Sequence, residues 1–181
     1  FVDREIRPHR EELEFGDMAP YDLLRKLFAT FGMDAMQRES FKKRIEREKA
    51  IAAGEAVAEK ADGPRDANSI AFTMIPIIEM CRVCPGMVTA MGVSMGLTGA
   101  AIMGKGTIAQ NERWALDLLT MEKVGAWAIT EPNSGSDAFG SMMSTARQDG
   151  DEFVLNGSKT FITNGPHADT IVFICKLDEG N

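Results

Sequence analysis

The segment that says most about the fold is residues 127–137, which read WAITEPNSGSD. Residues 127–130 form a short apolar run typical of a strand, and they lead into a turn with proline, glycine and several hydroxyl groups. Such a turn presents backbone N–H groups and short hydroxyls, which suit an anion such as a pyrophosphate. Gly135 has no side chain and would let a ligand approach the backbone closely. Taken alone, the segment predicts a strand followed by a polar loop.

The sequence before this segment has the period of helices. Five apolar residues share one helical stripe that a following glycine can close: Leu23, Leu24, Leu27, Phe28, Phe31 and then Gly32. Residues 39–60 are good helix formers, and the Asp-Gly-Pro at 62–64 predicts a break. Residues 70–102 form a long, mostly apolar helical stretch in which Pro76 and Pro85 mark first turns or kinks. An all-α domain is therefore predicted over residues 1–125.

The sequence after the segment has the period of strands. Asn-Gly or Asp-Gly pairs at 149–150, 156–157 and 164–165 predict hairpin turns. Between and after them, residues 144–148, 152–155, 159–163 and 170–177 are each long enough for a strand. The predicted fold class is α+β: the helical domain is followed, over residues 126–181, by the start of an antiparallel β-barrel or sandwich. The open edges of such a small sheet predict a further C-terminal part.

Composition limits the possible partners and locations. The 181 residues carry 20 Lys+Arg against 27 Asp+Glu, a net charge of −7, which disfavours binding to nucleic acid or to an anionic membrane. Glu79, Arg82 and Lys105 interrupt the best apolar run, so we expect no membrane span. Three cysteines are too few for a disulfide framework and favour a reducing compartment.

Two other motifs offer alternative functions. Residues 99–107, GAAIMGKGT, nearly match a phosphate-binding P-loop, although glycine follows Lys105 and the spacer residues are apolar helix formers. A helix C-terminus with a glycine cap is the structural alternative. Cys81 and Cys84 form a C-x-x-C, but no second ligand pair follows, so buried thiols are expected and no metal site is predicted.

Several short motifs together resemble the acyl-CoA dehydrogenase family. They are ITEP at 129–132, GSD at 135–137, DGD at 149–151, VLNGSK at 154–159 and ITNG at 162–165. The resemblance covers about residues 70–177. It implies a flavoenzyme of fatty-acid β-oxidation that removes the α hydrogen of an acyl-CoA thioester as a proton and transfers the β hydrogen as hydride to FAD. It also implies electron transfer to an electron-transfer flavoprotein, a homodimer or homotetramer, and a bacterial cytoplasmic or mitochondrial matrix location. A non-catalytic helical scaffold with the same fold is a further alternative.

The resemblance also implies roles for individual residues. Eight would contact the cofactor: Trp127, Ile129, Thr130, Gly135, Ser136, Phe161, Ile162 and Thr163. Among these, Gly135 and Ser136 would meet the pyrophosphate, Phe161 takes a position that is often Trp, and Thr163 would reach the flavin N5 region. Ser136 would also touch the CoA part of the substrate, and Thr89, Gly92 and Gly96 would line the acyl pocket.

The same resemblance assigns no catalytic residue to this sequence. The family's catalytic glutamate lies in a C-terminal helical bundle, so the 181 residues by themselves are predicted to be inactive. Glu131 is expected to hold its turn. For Gly92 and Gly96 two explanations stay open: close packing of another helix, or room for an acyl group.

Overall fold

The computed structural model describes residues 1–56 and 67–178, except the side chains of residues 67–69 and 72. Nine α-helical segments occur in these ranges: α1 (Arg10–Phe15), α2 (Tyr21–Phe31), α3 (Met33–Ala52), α4 (Ala67–Cys81), α5 (Pro85–Gly92), α6 (Ala100–Lys105), α7 (Ile108–Gln110), α8 (Leu116–Leu119) and α9 (Ala138–Ser141). Wider π-helical turns cover Val2–Ile6, Val93–Gly99 and Asn111–Ala115, and 3-10 turns cover Arg7–His9 and Gly165–His167. The break predicted at 62–64 lies outside the described residues.

The apolar stripe of α2 builds the centre of the helical core. Its first four members are buried, whereas Phe31, at the helix end, is 54% exposed. Gly32 closes the helix with a φ of +64°, a left-handed conformation that glycine adopts without strain. The residues packed together in this core are Ile6, Tyr21, Leu23, Leu24, Leu27, Phe28, Met80, Val83, Cys84, Met87, Ala90, Met121 and Val124. Burying each large side chain contributes about 1.5–3 kcal/mol.

Segments α5, Val93–Gly99 and α6 form one continuous helix, Pro85–Lys105. It has 21 residues and contains an 18-residue window with a mean hydropathy of 1.4, so by length and composition it could cross a membrane. Glu79 and Arg82 precede this helix and Lys105 ends it, so these charges do not interrupt it, and the absence of a membrane span stays a prediction. The helix nevertheless buries a stripe at helical spacing that includes Met87, Ala90, Ser94 and Thr98. A core helix meets the same criteria, so this feature alone does not establish a span.

Five strands follow: β1 (Gly125–Ala128), β2 (Thr145–Asp149), β3 (Glu152–Asn156), β4 (Thr170–Phe173) and β5 (Lys176–Asp178). The α+β class with helices first is confirmed. Pairing is more mixed than an antiparallel meander: β2 and β3 form the hairpin predicted around Gly150, but β1 pairs with β4 and β2 with β5 in parallel. Long intervening segments allow these parallel returns.

Two of the three predicted hairpin turns are wrong. Asn156-Gly157 leads into irregular backbone, where Gly157 has a φ of +146° and lies so close to Ser144 that a Cβ would be 2.3 Å from its Oγ. Asn164, with a φ of +66°, precedes the turn Gly165–His167 instead of a strand. Residues 159–163 are therefore not a strand, and the strand predicted at 170–177 is divided between β4 and β5.

Strand β1 packs directly on the long helix. A Cβ on Gly125 would lie 2.8 Å from the Thr98 Cβ, so only glycine allows this approach. The Gly125 N–H donates to Ser94 Oγ at 2.9 Å. On the other edge, the Val124 N–H donates to the Asp169 carboxylate at 2.8 Å. The strand that leads into residues 129–137 is thus fixed against the helical core.

Candidate functional site

The turn after β1 closes on itself through its backbone. The Glu131 N–H donates to the Ser134 carbonyl at 2.9 Å, and the Ser134 N–H donates back to Glu131 at 3.1 Å. Ser134 Oγ donates to the Asp137 carbonyl at 3.0 Å. Pro132 and Asn133 form the exposed tip. The polar loop predicted from sequence is therefore a tight, internally bonded turn.

The buried carboxylate of Glu131 fixes this turn to the residues around it. Glu131 accepts hydrogen bonds from Lys159 Nζ at 2.8 Å and from the N–H groups of Met143 and Ser144 at 2.6 and 2.9 Å. The Glu131 and Lys159 side chains are only 4–5% exposed. The hydrogen bond from Lys159, with further ones from Ser144 and the Met143 N–H, lowers the pKa of Glu131 from 4.5 to about 2. The carboxylate stays ionised and holds the turn, as expected from the sequence.

Lys159 also joins the two sequence motifs. Its Nζ donates to the Ile129 carbonyl at 3.1 Å and lies 5.1 Å from the centre of the Phe173 ring. The next residue, Thr160, donates its N–H to the Thr130 carbonyl at 2.9 Å. Residues 127–131 and 159–163, thirty positions apart in sequence, are therefore side by side.

Phe161 has an unusual exposure and backbone conformation in the junction, the place where residues 127–131 meet residues 159–163. Its side chain is 91% exposed and its backbone has a φ of +56°. A left-handed conformation costs a residue with a bulky side chain roughly 1–2 kcal/mol, and no burial offsets that cost here. A strained, exposed aromatic ring of this kind is a candidate contact surface for a ligand.

Three other predicted site residues carry hydroxyl groups. Thr130 and Thr163 are half-buried and Ser136 is exposed, and their hydroxyls make no hydrogen bond to any residue in the described ranges. A Cβ on Gly135 would meet nothing within 4 Å. The remaining three predicted contacts, Trp127, Ile129 and Ile162, are half-buried. An exposed ring in two joined segments that also carry the uncommitted hydroxyls of Thr130 and Thr163 can hold a flat ligand with polar edges.

The predicted acyl-pocket residues share one exposed face of the long helix. Thr89, Gly92 and Gly96 are all exposed, and a Cβ on either glycine would meet nothing within 4 Å. Within the described residues, close packing therefore does not explain these glycines. Gly99 differs, because its Cβ would lie 3.3 Å from Leu119. No hydrogen bond between described residues joins this face to Ser136.

Sequence reasoning missed the residue that links the buried side of this helix to the site. Asn164 is 7% exposed, and its Nδ2 donates to the carbonyls of Ala90 and Gly125, each at 2.9 Å. Its Oδ1 accepts from the Tyr21 hydroxyl at 3.0 Å, a contact between residues 143 positions apart. The Asn-Gly pair indicated only a local turn, and no sequence signal pointed to partners so distant.

The alternative sites are not formed. Residues 99–105 are helical and Thr107 caps α7 through a reciprocal pair of hydrogen bonds with Gln110, so the loop needed to cradle a phosphate does not exist. The P-loop interpretation is therefore wrong. Cys81 is exposed, whereas Cys84 is buried, and both are free thiols. Within the part of the chain that the structure describes, no cluster of His, Cys, Asp or Glu could hold a metal ion.

Sequence comparisons point to one group of proteins. Residues 126–181 match the family model of the acyl-CoA dehydrogenase middle domain. The short-chain specific acyl-CoA dehydrogenase of Clostridium acetobutylicum is 29% identical over 178 residues, which are 98% of this chain and 41% of that protein. Mitochondrial isovaleryl-CoA dehydrogenase of Bos taurus is 40% identical over 100 residues, 55% of this chain and 23% of that protein. The chain thus spans less than half the length of these relatives.

A solved structure agrees with the sequence matches. The crystal structure of an acyl-CoA dehydrogenase from Bacillus anthracis, complexed with FAD, superposes with a TM-score of 0.70 at 27% identity. The superposition covers 98% of this chain and 27% of that one. Similarity therefore extends through the helical part as well as the strands.

Proposed function

Because the chain belongs to the acyl-CoA dehydrogenase family, we propose that it forms part of a flavin-dependent enzyme that dehydrogenates acyl-CoA thioesters. In this proposal residues 1–125 are the helical domain and residues 126–181 the start of the middle β domain. The catalytic base is assigned to neither, since the family's glutamate lies in a C-terminal bundle. Electrons would pass to an electron-transfer flavoprotein, in a homodimer or homotetramer of the bacterial cytoplasm or mitochondrial matrix.

The observation that carries the proposal is the junction of residues 127–131 with 159–163. It offers a ring that is 91% exposed in a strained conformation, together with hydroxyls that have no partner among the described residues. This donor and aromatic set fits an FAD isoalloxazine, which has a flat face and hydrogen-bonding edges. Bound FAD would supply hydride acceptance, and the protein would supply position and electrostatics.

Each residue of the junction then has a binding or orienting role. Phe161 would pack on the flavin ring, Thr163 would donate near its reactive edge, and the backbone of Ile129 and Thr130 would meet the opposite edge alongside Trp127 and Ile162. Gly135 and Ser136 would approach the pyrophosphate, with Ser136 also near the CoA. The Glu131–Lys159 pair would hold both segments without touching the ligand.

The first test removes single hydroxyls in the full-length protein. Thr163→Ala and Ser136→Ala should weaken flavin retention or slow flavin reduction, because one lost hydrogen bond to a buried polar partner costs roughly 1–3 kcal/mol. Thr145→Ala, a half-buried hydroxyl on β2, is the matched control. Flavin content and reduction rate equal to the native protein in both site variants would reject the site. A native full-length protein that purifies without flavin would instead favour the scaffold alternative.

The second test separates strain from binding at Phe161. Phe161→Gly should stabilise the 181-residue chain by about 1 kcal/mol, because glycine adopts a positive φ freely and the ring is not buried. The same change should weaken flavin retention in the full-length protein, whereas Phe161→Trp should keep it. Thermal denaturation and flavin absorbance measure the two effects. Retention by the glycine variant would exclude stacking on this ring.

The third test concerns substrate size. Gly96→Leu adds a side chain to a face with open space, so the fold should tolerate it. In the full-length enzyme it should raise KM for long acyl groups and leave short ones unchanged, because lost pocket volume selects by size. Gly96→Ala is the control. Equal effects on all chain lengths would show that Gly96 does not line the pocket.

A further inference from the structure

We infer that Asn164 is a positioning residue that fixes the long helix, whose exposed face carries Thr89, Gly92 and Gly96, relative to the flavin-binding strand. The inference rests on the proposed function and adds a role to a residue that touches neither ligand in that proposal. It starts from a single buried side chain that bonds to α2, α5 and β1 together.

The hydrogen bonds of the Asn164 amide connect the long helix with β1. Its two amide hydrogen bonds end on Ala90, which lies between Thr89 and Gly92, and on Gly125, the first residue of β1. The other neighbours of Gly125 are Ser94 Oγ and the Thr98 side chain, both on the same helix. Asn164 therefore completes a buried contact in which helix and strand are held at one separation.

Only asparagine satisfies every atom at this position. The Nδ2 group has two hydrogens, and each faces a carbonyl oxygen, while Oδ1 faces the Tyr21 hydroxyl. An aspartate would place an oxygen against two carbonyl oxygens, and a buried acceptor without a donor is costly. The backbone adds a second requirement, because a φ of +66° is tolerated by asparagine and glycine far better than by other residues.

The position of Asn164 in the chain ties this contact to the site. It directly follows Thr163, and its own carbonyl accepts from the His167 N–H at 2.9 Å, which fixes the turn on its other side. A shift of Asn164 would move Thr163 together with the strand and the helix. Misplacement of reacting groups by about 1 Å can cost two orders of magnitude in rate, so this separation affects turnover more than it affects binding.

The experiment uses the full-length holoenzyme and three variants. Asn164→Asp reverses the donor, Asn164→Gly keeps the left-handed backbone without the amide, and Tyr21→Phe removes only the hydroxyl. Thr107→Ala is the control, because it breaks the cap of α7 and so lowers stability away from these contacts. Flavin-to-protein ratio, thermal midpoint, KM, kcat and the rate of flavin reduction are measured for each.

A positioning role predicts a specific pattern. Asn164→Asp and Asn164→Gly should reduce kcat and the flavin reduction rate by roughly tenfold or more, with flavin content and KM near native. Tyr21→Phe should lower kcat and the flavin reduction rate by a smaller factor, since both amide donors remain. If Asn164→Asp fails to fold, Asn164→Gly and Tyr21→Phe still carry the test, and if both Asn164 variants fail, Tyr21→Phe carries it alone.

Two outcomes separate this inference from the proposed function. Reduction rates in the Asn164 and Tyr21 variants that equal those of Thr107→Ala at a similar thermal midpoint would overturn the positioning role and leave a structural one. A native enzyme without flavin or acyl-CoA turnover would overturn the proposed function itself.

Discussion

Strands β1 and β3 both carry apolar side chains but lie in opposite environments. β1 (Gly125–Ala128) has three buried residues of four, packed on the helix between Ser94 and Thr98. β3 (Glu152–Asn156) is exposed throughout, although Phe153, Val154 and Leu155 are apolar and 45–58% accessible. Apolar side chains alone therefore do not decide which strand is buried.

The difference lies in the groups that surround each strand. β1 has Gly125 and alanines that allow close approach, and its ends are held by Asp169, Asn164 and Lys159. Among the strands that the structure describes, β3 is an edge strand that is hydrogen-bonded to β2 alone. Its exposed apolar side chains, Phe153, Val154 and Leu155, are of the kind that another surface can cover. We expect variants around β1 to cost stability and variants on β3 to cost almost none.

The largest expected effect is at the junction that follows β1. Glu131→Gln leaves the Lys159 ammonium buried without its carboxylate and weakens the acceptor for the Met143 and Ser144 N–H groups. Removing one partner of a buried ion pair is strongly destabilising, and the thermal midpoint of the chain should fall by roughly 10 °C. Glu152→Gln, on exposed β3, is the matched control and should change it little. Equal midpoints for the two variants would contradict the comparison.

Acid should remove the difference in stability between the native chain and the Glu131→Gln variant. The folded-state pKa of Glu131 is lowered from 4.5 to about 2, so its contribution is complete above pH 4.5 and is lost as pH falls toward 2. The stability gap between the native chain and Glu131→Gln should therefore be constant near neutrality, narrow below pH 4.5 and close near pH 2. Urea denaturation at several pH values measures the gap. A gap that persists at pH 2 would mean that the carboxylate charge does not stabilise the turn.

Local signals in the sequence predicted the parts of the fold that local contacts determine. The α2 stripe closed by Gly32, the hairpin at Gly150 and the backbone turn between Glu131 and Ser134 all follow from neighbours within a few residues. The parallel pairing of β1 with β4 does not, because it joins strands separated by residues 129–169. The strand predicted at residues 159–163 is wrong for the same reason, because Lys159 and Thr160 bond to Ile129 and Thr130, about 30 positions earlier.

The candidate site likewise has features that the sequence predicts and features that depend on long-range contacts. The motifs indicated which residues to examine, and the structure brings residues 127–131 and 159–163 together. The strained φ of Phe161 and the three buried hydrogen bonds of Asn164 have no sequence signature, since each depends on tertiary packing. A pattern of short motifs identifies residue types, whereas long-range contacts determine their conformation.

A pair of glycine substitutions tests close approach directly. Gly125→Ala puts a Cβ 2.8 Å from the Thr98 Cβ and should destabilise the chain by about 1–3 kcal/mol, because strand or helix must shift. Gly96→Ala, on the exposed face of the same helix, should stabilise it by about 0.5–1 kcal/mol through helix propensity. Chemical denaturation of both variants gives the comparison. A stabilising Gly125→Ala would show that β1 does not need glycine to reach the helix.

The smallest expected effect, at β3, is the most informative about what covers that strand. Val154→Thr replaces a methyl group by a hydroxyl at a position that is 45% exposed, so the stability of the 181-residue chain should change by no more than about 0.5 kcal/mol. Val124→Thr makes the same replacement beside β1, where the side chain is 2% exposed, and should cost about 1–3 kcal/mol for an unpaired buried hydroxyl. Both variants are then measured in the full-length protein. If other parts of that protein bury β3, the cost of Val154→Thr should rise toward that of Val124→Thr, while the latter stays unchanged. If the cost stays near zero in both settings, β3 is a true surface strand, and its apolar residues do not form an interface.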